Sequence, residues 1–232
     1  MCGDGLARGH DGPVDLLTDI DPAWAAPLVG AALVVVPALW RHARHAVTLV
    51  HELGHASVAV LTGRRLTGIR LHRDTSGLTV SRGKPGGPGM VATAAAGHLA
   101  PSALGLVLVA VVAADLTPEA LWVATGALVV TFVFVRNVFG AVVLLLAVAA
   151  VGAAAWRAES ALQDAMALGA AWFLLLAGPR SVLELWSHRR RHRTGTTDAD
   201  VLARLTHLPA AVWNLLLLAA GAAALWPAAR VV

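Results

Sequence analysis

Seven apolar runs, at 23–40, 46–62, 90–114, 119–135, 138–156, 160–178 and 208–229, take up most of the chain. Several approach the ~20 residues that a helix needs to cross hydrocarbon. With 57% hydrophobic and 14% charged residues over 232 positions, the composition excludes an ordinary soluble domain. The runs are rich in Ala, Val, Leu and Gly and lack period-two alternation, which argues for closely packed helices and against a barrel. The expectation is an all-α polytopic membrane protein with about six to seven transmembrane helices, forming a single domain over 23–232. The first 22 residues are polar, with five aspartates and one arginine, and predict a flexible tail without a cleavable signal. A lone cysteine, Cys2, leaves no internal disulfide framework and no cysteine-based metal cluster.

Two polar segments, 63–89 and 179–207, each hold six of the 18 Lys and Arg residues. Placed beside a membrane, this basic excess reads as anchoring and orientation, with a lipid bilayer and no nucleic acid as partner. Putting both segments in the cytoplasm also puts Arg136 inside, Asp115 and Glu119 outside, and the RHARH stretch at 41–45 outside, against the charge bias. Ile69, Leu71, Leu78 and Val80 alternate around Asp74-Thr-Ser-Gly77, which predicts a short cytoplasmic β-hairpin after the second run. Trp24, Trp40, Trp122, Trp156 and Trp226 fall near run ends, as interfacial belts require.

The second run, AVTLVHELGHASVAVLT, carries His51, Glu52 and His55 in its middle. On a helix, positions i and i+4 share a face, so both imidazoles can hold one metal ion while Glu52 stands beside it. Zinc suits imidazole, and a catalytic zinc site keeps one position open. Glu52 would be the general base for the attacking water and the metal a Lewis acid, which together suit hydrolysis of a carbonyl. A charged group inside lipid costs on the order of 2.5 kcal/mol or more, so three ionisable groups there favour function over a passive polar patch.

HELGHASVAVLTG, the basic hairpin-like segment and AAAGHLAPSALG at 94–105 resemble the site-2 protease family of intramembrane zinc metalloproteases. HELGH, RNVFG at 136–140 and TTDADVLARLTHLP at 196–209 are similar, more closely, to its bacterial M-fifty-B-like branch, over nearly the whole chain from about residue 45. The glycine and proline of GHLAP match part of the family's G-P-x-x-N element, without its asparagine. The L-D-G motif that supplies the third metal ligand in the parent family is absent.

Candidates for that ligand are Asp164, Asp198, Asp200 and His98. His55 lies seven residues before Thr62, about 10 Å from that end of its helix at 1.5 Å per residue. Asp164 starts its run at the opposite face. Asp198 follows two threonines suited to capping and opens a segment that could continue into the last run, with Pro209 as a kink. Asp200 shares the location on another helical face; the branch resemblance points to the aspartate before Ala199 and ranks Asp198 first. The alternative for His98 is to donate a hydrogen bond to a metal ligand or to stabilise an oxyanion, and for Asn137 the expectation is a cap or inter-helix hydrogen bond, with substrate positioning as the alternative.

The resemblance implies an intramembrane zinc metalloendopeptidase with one zinc per chain, acting in regulated intramembrane proteolysis on single-pass membrane proteins. It would sit in the plasma membrane with its site nearer the cytoplasm. The alternative is a non-proteolytic membrane protein, a degenerate relative or transporter, that binds metal or a partner through the same face.

Overall fold

A computed structural model describes residues 22–191 and 195–230, so the N-terminal tail read from the sequence lies outside the described residues. In chain order the elements are α1 (Pro22–Val35), α2 (Pro37–Leu61), β1 (Arg65–Leu71), β2 (Gly77–Arg82), α3 (Pro88–Ala113) and α4 (Thr117–Thr131). They continue with α5 (Val138–Arg157), α6 (Ser160–Arg191), α7 (Asp198–Thr206), α8 (Ala210–Ala223) and α9 (Leu225–Ala228). The chain is mainly helical with one small antiparallel hairpin, as the apolar runs and the alternation around Asp74 predicted.

Among the described residues, four stretches are long and apolar enough to cross a membrane: α3, α5, α6 and the Ala210–Ala228 stretch of α8 and α9. A fifth arises if α1 and α2, bent by 98° at their junction, count as one span. This is fewer than the six to seven expected. α4, with 15 residues, reaches only about 22 Å, short of the ~30 Å of hydrocarbon.

The 41–45 stretch is no connection but the second turn of α2, which begins at Pro37 after the extended residue Val36. Proline sits well at a helix start because it needs no amide partner there, so the break falls ahead of the arginines rather than among them. One of them, Arg44, finds partners on α6 and in Trp40. Arg44 pairs with Glu184 at 3.2 Å, and the Trp40 indole donates to Glu184 at 2.7 Å. Arg180 stacks over Trp40 at 4.4 Å and donates to the Val34 carbonyl. Trp40 is therefore 5% exposed and belongs to the core, not to an interfacial belt, whereas Trp122, Trp156 and Trp226 are exposed.

The described parts of the 179–207 stretch, 179–191 and 195–207, are likewise more ordered than their polarity suggests. α6 runs through Pro179 to Arg191, and α7 ends at His207 in the left-handed region (φ 62°). Pro209 caps the separate helix α8, so the break that the sequence suggested as a kink is complete. α3 lies between α2 and α6 and meets them through small residues. A Cβ on Gly54 would sit 2.4 Å from that of Ala100, and one on Gly105 2.7 Å from Leu175. Helices in lipid gain most from such close backbone approach.

In the hairpin, Ile69 faces Thr79 and Leu71 faces Gly77. The Thr48 hydroxyl donates to the Thr75 carbonyl at 2.9 Å and ties the turn to α2. The outer edge of β1 is covered: the Ile69 amide donates to Phe134 at 2.8 Å, and the Arg136 amide to Ile69 at 2.9 Å. Asn137 completes that edge with its side chain, accepting from the Leu71 amide at 3.2 Å and donating to the Leu71 carbonyl at 2.6 Å.

Candidate metal centre

Helix α2 presents His51 and His55 one turn apart, their Nε2 atoms 3.0 Å from each other. Gly97 on α3 makes this approach feasible, because a Cβ there would lie 2.3 Å from His55 Nε2 and 2.6 Å from His51 Cε1. The carbonyl of Thr93, one turn earlier on α3, lies 2.7 Å from His55 Nδ1. A carbonyl only accepts, so Nδ1 must carry the proton, and the Nε2 lone pair of a neutral His55 is left for a ligand.

Asp198 enters from α7. Its Oδ2 lies 3.2 Å from His51 Nε2, 3.3 Å from His55 Nε2 and 3.5 Å from His98 Nε2. Ligands about 2.0–2.1 Å from a tetrahedral zinc ion stand roughly 3.3 Å apart, so these separations fit that donor set. Two triads share His51 and Asp198. One adds His98, whose donor atom lies with theirs inside a 4.8 Å group. The other adds His55, closer to both His51 and Asp198 than His98 is to Asp198 and held in the required tautomer. The second is the better set on those two grounds, because His98 Nδ1 has only a long contact, 3.4 Å, to the Ser181 hydroxyl.

Asp200 does not join the cluster. It closes a capping box at the start of α7 with Thr197, whose hydroxyl donates to Oδ2 at 2.6 Å, and it pairs with Arg189 at 2.5 Å. Burial opposes its charge, but Arg189 and the Thr197 hydroxyl together hold its carboxyl below the ordinary value. This anchoring to the end of α6 points Asp198, two residues earlier, at the histidines. Asn137 is engaged on the hairpin edge. Asp164 sits 17 residues before Ser181 on α6, about 25 Å away along the axis.

Glu52 is 4% exposed and lies beneath β2. The Thr79 hydroxyl is 2.6 Å from its Oε2. Gly77 clears the other side, since a Cβ there would fall 2.3 Å from Glu52 Oε1. Sequence reasoning missed Thr79, Gly77, Thr93 and Gly97, because nothing in their local pattern says which helix they meet. A cavity of about 680 Å³ opens onto Glu52, the three histidines and Asp198, with Arg44 and Glu184 further along its wall.

The fold and the side-chain set together fit a helical, multi-pass membrane protein with a histidine–aspartate cluster that could hold a metal ion beside a buried glutamate. A family model described as Peptidase M50B-like matches residues 24–228, and the chain belongs to that family, the one that HELGH and the later motifs pointed to. No curated protein and no solved structure matches the chain.

Proposed function

We propose that this protein is an intramembrane zinc metalloendopeptidase that cleaves membrane-protein substrates, in the manner of regulated intramembrane proteolysis. The observation that carries the reading is the convergence of His51, His55 and Asp198 on one point beside Glu52. These three side chains would hold one zinc ion, which when bound supplies Lewis acidity toward the scissile carbonyl. Glu52 takes the proton of the attacking water and passes it to the leaving amine. His98 stands beside the cluster as a donor to developing negative charge.

The substrate would bind as an extended strand, because a helix hides its carbonyls. Ile69 and Leu71 turn their backbone groups outward, to Phe134, Arg136 and Asn137, so their partners Thr79 and Gly77 present theirs on the opposite, open edge of β2. A peptide added there runs alongside Glu52. Single-pass proteins in the plasma membrane fit such a site, with the hairpin and the metal cluster on the cytoplasmic side, where the basic segments belong. Six crossings, the lower end of the expected number, belong to this reading if α1 and α2 form one span and α4 spans together with Phe132–Val135.

One observation favours a second reading. With His98 added, four side chains meet, and a four-coordinate closed set suits metal binding without turnover. The test is elemental analysis of detergent-purified wild type, His55→Ala, Asp198→Ala and Glu52→Gln, beside cleavage of a reporter membrane protein. A peptidase is expected to hold near one zinc per chain, lost in His55→Ala and weakened in Asp198→Ala. Glu52→Gln keeps the zinc and loses roughly 100-fold or more in turnover. Full zinc with turnover indifferent to Glu52→Gln selects the binder, and zinc-free wild type that resists reconstitution defeats both.

A further inference from the structure

The two faces of the hairpin differ. Thr79 and Gly77 lie on the face toward α2 and Glu52, whereas the other face carries exposed Arg65, Arg70, Leu78, Val80 and Arg82. Arg65 stands directly opposite Arg82 in the register, and like charges so placed repel. The next pair is Gly68 and Val80. Gly68 has a reason to lack a side chain: a Cβ there would lie 2.7 Å from Arg136 Cγ. Arg136 thus lies across the same face, held by the Thr67 carbonyl at its Nε (3.2 Å) and by the Val133 carbonyl at one Nη (2.6 Å).

Three arginine side chains, those of Arg65, Arg82 and Arg136, therefore lie next to Val80 on this face, and Val80 is 43% exposed. Among the described residues none of the three makes an ion pair; the carboxylates that do, Glu184, Asp198 and Asp200, are paired elsewhere. A cluster of repelling cations with an apolar centre calls for an anion that also offers something apolar. Position in the chain says which. Arg82 is six residues before α3 and Arg136 two residues before α5, the starts of two membrane-crossing helices, so the patch stands at the level where headgroups begin.

We propose that Arg65, Arg82 and Arg136 form a binding site for the phosphodiester of an anionic phospholipid, with Val80 against its glycerol and upper acyl carbons. Guanidinium forks match phosphate oxygens, and arginine stems tolerate the apolar side of the interface. The site is on the reverse of the strand that covers Glu52, and it stands or falls independently of the protease reading.

The experiment is thermal unfolding of the full chain in a neutral detergent, with phosphatidylglycerol, phosphatidylcholine, inorganic phosphate or a polyglutamate peptide added at equal concentration. Wild type is compared with Arg65→Gln/Arg82→Gln, with Arg136→Gln, and with Arg41→Gln/Arg73→Gln as a charge-matched control. Phosphatidylglycerol should raise the wild-type Tm by several degrees while the other three additives do not. The patch double variant and Arg136→Gln should keep less than half of that shift and the control nearly all of it. The proposal is overturned if the patch variants respond like wild type or the control loses as much as they do. It is equally overturned if inorganic phosphate matches the lipid or if the acidic peptide stabilises more strongly, the latter assigning the patch to a peptide.

Discussion

Glu52 lies between two neighbours that treat its carboxylate differently: Gly77 makes room for one oxygen and Thr79 donates to the other. A general base works only when its free lone pair is aimed, and one hydrogen bond at 2.6 Å removes much of the rotamer freedom of a glutamate. Thr79 is in these terms a positioning residue. Thr79→Val, nearly isosteric, is expected to keep zinc and Tm but to lower kcat roughly tenfold with little change in KM, about 1.4 kcal/mol of transition-state stabilisation. Thr79→Ser should restore most of the loss. Equal activity in wild type and Thr79→Val, at matched zinc content, would show that the carboxylate needs no such partner.

At the scale of elements, α7 is where order and chemistry meet. A helix of nine residues is marginal by itself, so its start has to be held from outside. Thr197 and Asp200 cap it and Arg189 ties it to α6. Thr197→Ala is expected to lose about 1 kcal/mol of helix stability, and with it roughly a fewfold in zinc affinity, although no metal ligand is touched. Competition with a fluorescent zinc chelator measures this, and Thr197→Ser serves as the conservative control. The hairpin shows the same dependence on neighbours: two strands alone are unstable in water, and here α2, the 134–137 segment and Asn137 supply the missing partners. Asn137→Ala should leave the Leu71 amide and carbonyl without that side-chain partner and make the hairpin the first site of limited proteolysis, read by mass spectrometry of the early fragments.

For the whole molecule, the proposed ligands come from two helices distant in sequence, His51 and His55 on α2 and Asp198 on α7, so a bound ion would cross-link them. Binding to the folded state alone stabilises it by about 2.7 kcal/mol when free zinc is 100 times Kd. Chelation should therefore lower the wild-type Tm by several degrees, zinc should restore it, Asp198→Ala should respond more weakly to both, and His55→Ala to neither. Indifference of zinc-loaded wild type to a strong chelator would mean that the cluster does not couple the helices. The same packing explains the paired charges at the α1–α2 bend, where Arg44, Arg180 and Glu184, each about a third exposed, satisfy one another around the buried Trp40.

Local pattern alone determined the helical class, the hairpin around Asp74 and the His51–Glu52–His55 face, because hydropathy, turn chemistry and i,i+4 spacing act within a few residues. It also selected the family and narrowed the third-ligand candidates to a short set that included Asp198. It misjudged the 41–45 and 179–191 stretches, where charge suggested loops, since ion pairs and hydrogen bonds with residues more than a hundred positions away are invisible in a linear reading. Only the tertiary structure decided which aspartate faces the histidines, that a backbone carbonyl of α3 fixes the tautomer of His55, and that a strand lies over Glu52. Each of these depends on where the backbone of one helix runs against another, and small residues such as Gly54 and Gly97 permit that approach without announcing its partner.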